Sequence, residues 1–312
     1  MRASVVSRRP QVHVHGLLRG AAAWLAAVLV LAATVVGVSL VGGGTASALT
    51  TAEVSLIQRD LNGLGYDAGP VDGIYGSRTT AAVRRLQQDN AITADGVSGP
   101  VTMSALQGKV RQVQQVAGSS PDGDYGPLTT TAVRNWQSAH GLTADGRAGP
   151  ATMQAMRVPR VVTTGGTSSE KIERVIAAAQ SQVGKGLTYA WNGGTRFGPT
   201  YGVCCSPAGF DDRGRFGYDC SGFLQYAFWQ GSGVDVGDWS GAQYAKPTRV
   251  PSGERRRGDM LFWGSGTSTD HVALYLGNGR MLEANSPRTS TSVHESAVRT
   301  SGLMPYAVRI FP

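Results

Sequence analysis

The chain repeats itself at an offset of 50 residues, and this constrains its fold more than any other feature of the sequence. Asp72-Gly73-Ile74-Tyr75-Gly76 recurs as Asp122-Gly123-Asp124-Tyr125-Gly126, and Thr79-Thr80-Ala81-Ala82-Val83-Arg84 as Thr129-Thr130-Thr131-Ala132-Val133-Arg134. Thr93-Ala94-Asp95-Gly96 and Gly99-Pro100 return as Thr143-Ala144-Asp145-Gly146 and Gly149-Pro150. Two copies of one small unit require two similar modules in tandem, here residues 51–107 and 109–157. Each reads as three short helices joined by Asp-Gly turns. Leu56, Ile57 and Leu61 form one apolar stripe, Val83 and Leu86 a second, Met103 and Leu106 a third; Val133, Trp136 and Met153 repeat the last two. The second copy is about six residues shorter between its first helix and Asp122. Asp122-x-Asp124 has a calcium-like spacing, but the remaining ligands of such a loop are absent.

These units resemble the peptidoglycan-binding domain 1 family, whose Asp-Gly-x-Tyr-Gly motif both copies carry. The resemblance implies that they hold the protein on its polymer and raise local concentration without supplying chemistry; the alternative is that they are spacers. Ahead of them, Arg2, Arg8, Arg9 and Arg19 precede an apolar run from Ala21 to Val41, and Ala46-Ser47-Ala48 supplies small residues suited to a signal peptidase. Residues 1–48 are therefore expected to be a signal peptide, with an uncleaved anchor as the alternative because the run is long enough to span a bilayer. Without its four arginines the chain carries 25 basic and 21 acidic residues, +4 rather than +8. That balance favours acidic wall polymers slightly and gives no nucleic-acid footprint, which needs a clustered basic stripe. The expected protein is secreted or wall-associated, monomeric, and without stable membrane attachment once the signal is removed.

Residues 158–168 have no apolar periodicity and read as a flexible linker. Thr167-Ser168-Ser169-Glu170 then reads as a capping box that opens a helix with Ile172, Val175, Ile176, Ala179 and Val183 on one face. A further domain, residues 169–312, follows.

This domain holds the chemistry. A cysteine nucleophile needs a base to take its proton and a third group to fix the base. Cys220 stands in Asp219-Cys220-Ser221-Gly222, and Phe223, Leu224, Ala227 and Phe228 follow at helical spacing. Cys220 is thus expected at a helix N-terminus with Asp219 at the cap, where the helix dipole lowers a thiol pKa. Gly222 would allow close packing of that first turn. Of five histidines, His13 and His15 lie in the leader and His140 in a repeat, leaving His271 and His294. His271 is preferred because it opens a strand, His271 to Leu276, that Gly277-Asn278-Gly279 turns back into Met281-Leu282-Glu283-Ala284. With an odd, three-residue loop, Met281 faces Tyr275, Glu283 faces Ala273 and Asn285 faces His271 on one side of the hairpin. Glu283 is then diagonal to His271 at roughly 7–8 Å; an even loop would put it on the other face. Asn285 is the reserve third member.

In order, Tyr189-Ala190-Trp191-Asn192-Gly193-Gly194, Tyr218-Asp219-Cys220-Ser221-Gly222-Phe223, Arg257-Gly258-Asp259-Met260-Leu261-Phe262-Trp263, and His271 to Glu283 resemble the NlpC/P60 family of cell-wall cysteine peptidases. The resemblance implies an α+β, papain-like domain with helices packed on an antiparallel sheet. It implies hydrolysis of peptidoglycan stem peptides, typically between D-glutamate and the diamino acid, with neither metal nor cofactor. Carried over to this sequence, Cys220 is nucleophile, His271 base and then acid, and Glu283 the orienting group, with Tyr189, Asp219 and Ser221 lining the substrate site. Many relatives carry histidine, asparagine or glutamine instead of glutamate in the third role. The stretch between Gly194 and Tyr218 is also longer than relatives usually have, and reads equally as a lid over the cleft or as a surface insertion. It contains Cys204 and Cys205, the other two cysteines. They are expected either to pair with each other, or to remain free because neighbouring residues strain a disulfide, or to bridge Cys220 in an oxidised form. Three functions remain open: a secreted cysteine endopeptidase, a wall-binding protein with an inactive domain, and a different acyl transfer such as amide cleavage beside the sugar or transfer to lipids.

Overall fold

The computed structural model describes residues 49–285 and 288–312; the expected signal segment, residues 1–48, lies outside the described residues. Among the described residues no helix is long and apolar enough to cross a membrane.

Five helices build the N-terminal part: α1 (Thr51–Gly63), α2 (Ser77–Asp89), α3 (Pro100–Ala117), α4 (Pro127–Ala139) and α5 (Pro150–Ala155). The two units are not separate triplets, because α3 serves both, as the last helix of the first and the first of the second. Four buried glutamines set the turns. Gln58, Gln87, Gln114 and Gln137 each donate to an aspartate (Asp72, Asp95, Asp122, Asp145) and to a threonine seven residues beyond it (Thr79, Thr102, Thr129, Thr152). Each also accepts an N–H from the glycine after the aspartate. A buried amide is tolerated only when so satisfied, and Asp122 is thereby committed to Gln114.

The rest is α+β. After α6 (Ser168–Gln180) come β1 (Thr188–Tyr189), β2 (Thr200–Tyr201) and β3 (Phe216–Tyr218), then α7 (Cys220–Ser232) and α8 (Ser240–Tyr244). Next are β4 (Arg249–Pro251), β5 (Met260–Ser265), β6 (Ser268–Gly277), β7 (Arg280–Ala284), β8 (Val293–Ala297) and β9 (Tyr306–Val308). The first three strands form a small sheet ordered β1-β3-β2, and the others a six-stranded sheet ordered β4-β9-β5-β6-β7-β8. The capping box of α6 forms, with Thr167 and Glu170 satisfying each other's backbone N–H groups. Helix α7 is buried along its whole length between α6 and the sheet, with Phe223, Tyr226, Phe228, Phe262 and Leu274 in the shared core.

The linker differs from expectation. Val162 is buried beside Ala105, Phe197 and Trp229, and its N–H donates to Asp89 O at 2.7 Å. Arg160 lies over the Tyr66 ring at 3.9 Å, and fully buried Lys109 donates to Pro159 O. Composition signalled flexibility, but two buried valines, Val158 and Val162, and the surrounding cations pin the segment along the repeats. Gly108, in the middle of α3, explains how closely the two parts approach: a Cβ there would lie 2.8 Å from Phe197 Cβ and O.

Candidate active site

Asp219 caps α7, its Oδ1 accepting from Gly222 N at 2.7 Å and from Ser221 Oγ at 2.9 Å. Cys220 is therefore the first residue of the helix. Gly222 packs where a Cβ would stand 2.4 Å from Gly193 O, so no larger residue fits beneath that turn. Only 6% of Cys220 is exposed, and its thiol lies against the backbone N–H of Val272, the residue after His271.

The N–H groups at the helix start favour the thiolate but are outweighed. Burial foremost, then the Asp219 carboxylate, pushes the thiol pKa up to about 12 against the opposing N–H groups of Val272, Ser221 and Cys220 itself. Desolvation of a buried thiolate exceeds what one helix end returns. Asp219 is itself pushed up to about 6, first by burial, against the bonds from Gly222, Ser221 and Asn192.

The β6–β7 hairpin aligns the second pair. Tyr275 pairs with Met281 and Leu274 with Leu282, the expected register. The loop is nevertheless even: Gly277 pairs with Arg280 around Asn278-Gly279, both at positive φ. A bulge at Leu276 supplies the odd residue, so Glu283 stays on the face of His271. His271 Nε2 and Glu283 Oε2 are 2.6 Å apart. With Nε2 engaged, Nδ1 is the ring nitrogen left to take a proton. Asn285 donates to Glu283 Oε2 at 3.2 Å, and His294 sits opposite Glu283 on β8 with Nε2 3.7 Å from Oε1.

Sequence reasoning missed Arg299. Its Nη1 and Nη2 reach Glu283 Oε1 and Oε2 at 2.7 and 2.8 Å, and Ser296 Oγ donates to Oε1 at 2.6 Å. Burial alone would raise the Glu283 carboxyl; Arg299, His271 and Ser296 together hold it far below the usual carboxylate range. Arg299 also lies over Trp263, whose ring is 5.5 Å from that of His271 and whose Nε1 donates to Arg299 O. Nothing in the local pattern marks this arginine, which stands 16 residues beyond Glu283 and just past β8.

A cleft of about 610 Å³ opens beside Cys220, and Tyr189, Asp219 and Ser221 all line it, together with Trp191, Trp239 and Asn285. The parallel pairing of Tyr189 with Tyr218 sets Tyr189 in the cleft wall with Cys220. Asp219 and Ser221 are largely committed to each other, and Ser221 Oγ also donates to Asp238 O at 3.2 Å. The long insertion has two destinations. Phe197 enters the contact with the first repeat, while Ser206, Pro207 and Ala208 form cleft wall. Cys204 and Cys205 are bridged to each other, and Cys220 is free.

Comparison with known proteins agrees with this architecture. Residues 186–310 match the NlpC/P60 family, and residues 50–106 and 109–156 match the family described as "Putative peptidoglycan binding domain". The chain is 42% identical over 153 residues to peptidoglycan endopeptidase RipA of Mycolicibacterium smegmatis, covering 49% of this chain and 27% of that protein. It is 41% identical over 160 residues to peptidoglycan endopeptidase RipB of Mycobacterium tuberculosis, covering 49% of this chain and 61% of that one. The match therefore spans from about a quarter to three fifths of these relatives. The structure of the peptidoglycan hydrolase RipB from Mycobacterium tuberculosis aligns with 37% identity and a TM-score of 0.42, over 59% of this chain and 82% of that one. By its C-terminal domain the chain belongs to the NlpC/P60 family, with two peptidoglycan-binding segments ahead of that domain.

Proposed function

We propose that the protein is a secreted, wall-associated cysteine endopeptidase that hydrolyses peptidoglycan stem peptides at the D-glutamyl to diamino acid bond. The observation that carries this reading is a thiol at the start of α7, set against β6 at Val272, the residue that follows an imidazole held at 2.6 Å by a fully buried carboxylate. The naming of the relatives as peptidoglycan endopeptidases supports the substrate class.

In this mechanism His271 Nδ1 takes the Cys220 proton as sulfur attacks the amide carbonyl carbon. Collapse of the tetrahedral intermediate breaks the C–N bond, and His271 returns the proton to the leaving amine. Water, deprotonated by the same nitrogen, then cleaves the thioester, releasing a carboxylate and restoring the thiol. Glu283 fixes the ring with Nε2–H toward its carboxylate. Tyr189, Asp219 and Ser221 shape the substrate side of the cleft. The two repeats hold the enzyme on its polymer, which serves as both ligand and substrate.

Purified peptidoglycan digested with residues 49–312 should release fragments whose masses place the cut after D-glutamate, and Cys220→Ala should release none. Fragments ending at the sugar lactyl group would instead show an amidase. Absence of release by either protein, with retention on the polymer, would leave only wall binding.

A further inference from the structure

Arg288 is the single cation among the described residues that line the cleft, where Asp219, Asp238 and Asp270 also stand. Its guanidinium is fixed between two rings, 5.0 Å from the centroid of Tyr189 and 4.5 Å from that of Phe210. Tyr189 and Cys220 line the same cleft, so Arg288 stands behind a ring that shares the cleft with the sulfur.

Its charge is not used up inside the protein. The fully buried Asp212 accepts from Arg288 Nη2 and from Trp191 N, and Arg215 Nε also approaches it at 3.2 Å. Two guanidinium groups thus share one carboxylate, leaving one net positive charge. The Arg288 side chain is only 19% exposed, and a cation held in a mostly desolvated wall is costly unless an anion completes it. A planar guanidinium prefers a carboxylate, which it can bind with two parallel hydrogen bonds.

We propose that Arg288 is a specificity residue that binds a free carboxylate of the stem peptide next to the scissile bond. The proposal rests on the endopeptidase reading, and two carboxylates qualify: the α-carboxylate of the γ-linked D-glutamyl residue and that of the diamino acid. Both contrast with their carboxamides, which lack the charge. The insertion acquires a purpose by the same geometry, since Asp212 and Phe210 belong to it and hold Arg288 in place.

The test uses soluble stem peptides in three forms: both carboxyls free, the glutamyl carboxyl amidated, and the diamino acid carboxyl amidated. Wild type should prefer the acid at one of the two positions by roughly ten- to a hundred-fold in kcat/KM, the size of one charge-assisted hydrogen bond. Arg288→Gln should bring that ratio close to one by losing rate on the free acid far more than on the amide. Arg288→Lys, which keeps the charge and loses the planar fork, should fall between and serves if the glutamine variant loses its near-UV circular dichroism. An equal loss on acid and amide, or an unchanged preference, would overturn the assignment. Peptide titration of Cys220→Ala with and without Arg288→Gln reads the same preference as Kd. Acid selectivity in binding without turnover would count against the endopeptidase reading alone, and its absence against Arg288.

Discussion

Arg299 helps to hold the Glu283 carboxyl below its usual range, and on the proposed mechanism replacing it should move the pH profile upward. Glu283 Oε2 is shared between His271 Nε2 at 2.6 Å and Arg299 Nη2 at 2.8 Å. Two nitrogens on one oxygen lie roughly 5 Å apart, where two unit charges at an effective dielectric of about 20 repel by about 3 kcal/mol. Arg299 is 43% exposed, so solvent screening reduces this to about 1–1.5 kcal/mol, or about one pH unit. Arg299→Met keeps the stem over Trp263 and removes the charge. The sign is independent of where the resting proton sits, because removing a cation favours every proton-bound form nearby. The acid limb of kcat/KM, followed on a soluble stem peptide from pH 5 to 10, should therefore rise by about one unit, with the alkaline limb shifting in the same direction. Arg299→Lys should leave both limbs near their original positions. An acid limb that stays put or falls in the methionine variant would show that Arg299 only orients Glu283 and exerts no field on the imidazole.

Two further outcomes test how the parts are joined. Burial brings Lys109 down to about 7 from an ordinary 10.5, so between those values the folded state binds fewer protons than the unfolded chain. Stability should then rise as pH increases from 7 toward 10.5, and Lys109→Met should flatten the slope by up to about 1.4 kcal/mol per pH unit in urea unfolding; identical slopes would exclude a buried, discharged lysine. Gly108→Val should collide with Phe197, lower stability by about 1–3 kcal/mol, and expose residues 158–168 to limited proteolysis. Cutting there no faster than in wild type would mean that the repeats do not depend on that contact.

Much of the molecule was legible as periodicity. The 50-residue repeat, the start of α7 behind Asp219 and the hairpin that brings Glu283 to the face of His271 all arise from neighbours in the chain, where side chains recur with fixed period. The loop is even where an odd one was expected, yet Glu283 lies on the expected face. Asn278-Gly279 favours a two-residue turn because both residues accept positive φ, and the bulge at Leu276 then restores the alternation. The linker shows the opposite case. Its composition carries no sign that Val162 will be buried against Phe197 and Trp229, because those partners are far away in sequence.

The sequence by itself determined the modules, the α+β class of the last domain and the order of its motifs, since these follow from local spacing and from residues that specify turns and caps. Tertiary structure alone decided the electrostatics. Arg299 on Glu283, Arg288 on Asp212, and the burial that raises the Cys220 thiol are set by residues brought together across 16 to 76 positions or by the exclusion of water. Charge interactions and desolvation depend on distance in space and on solvent access, neither of which a local pattern encodes.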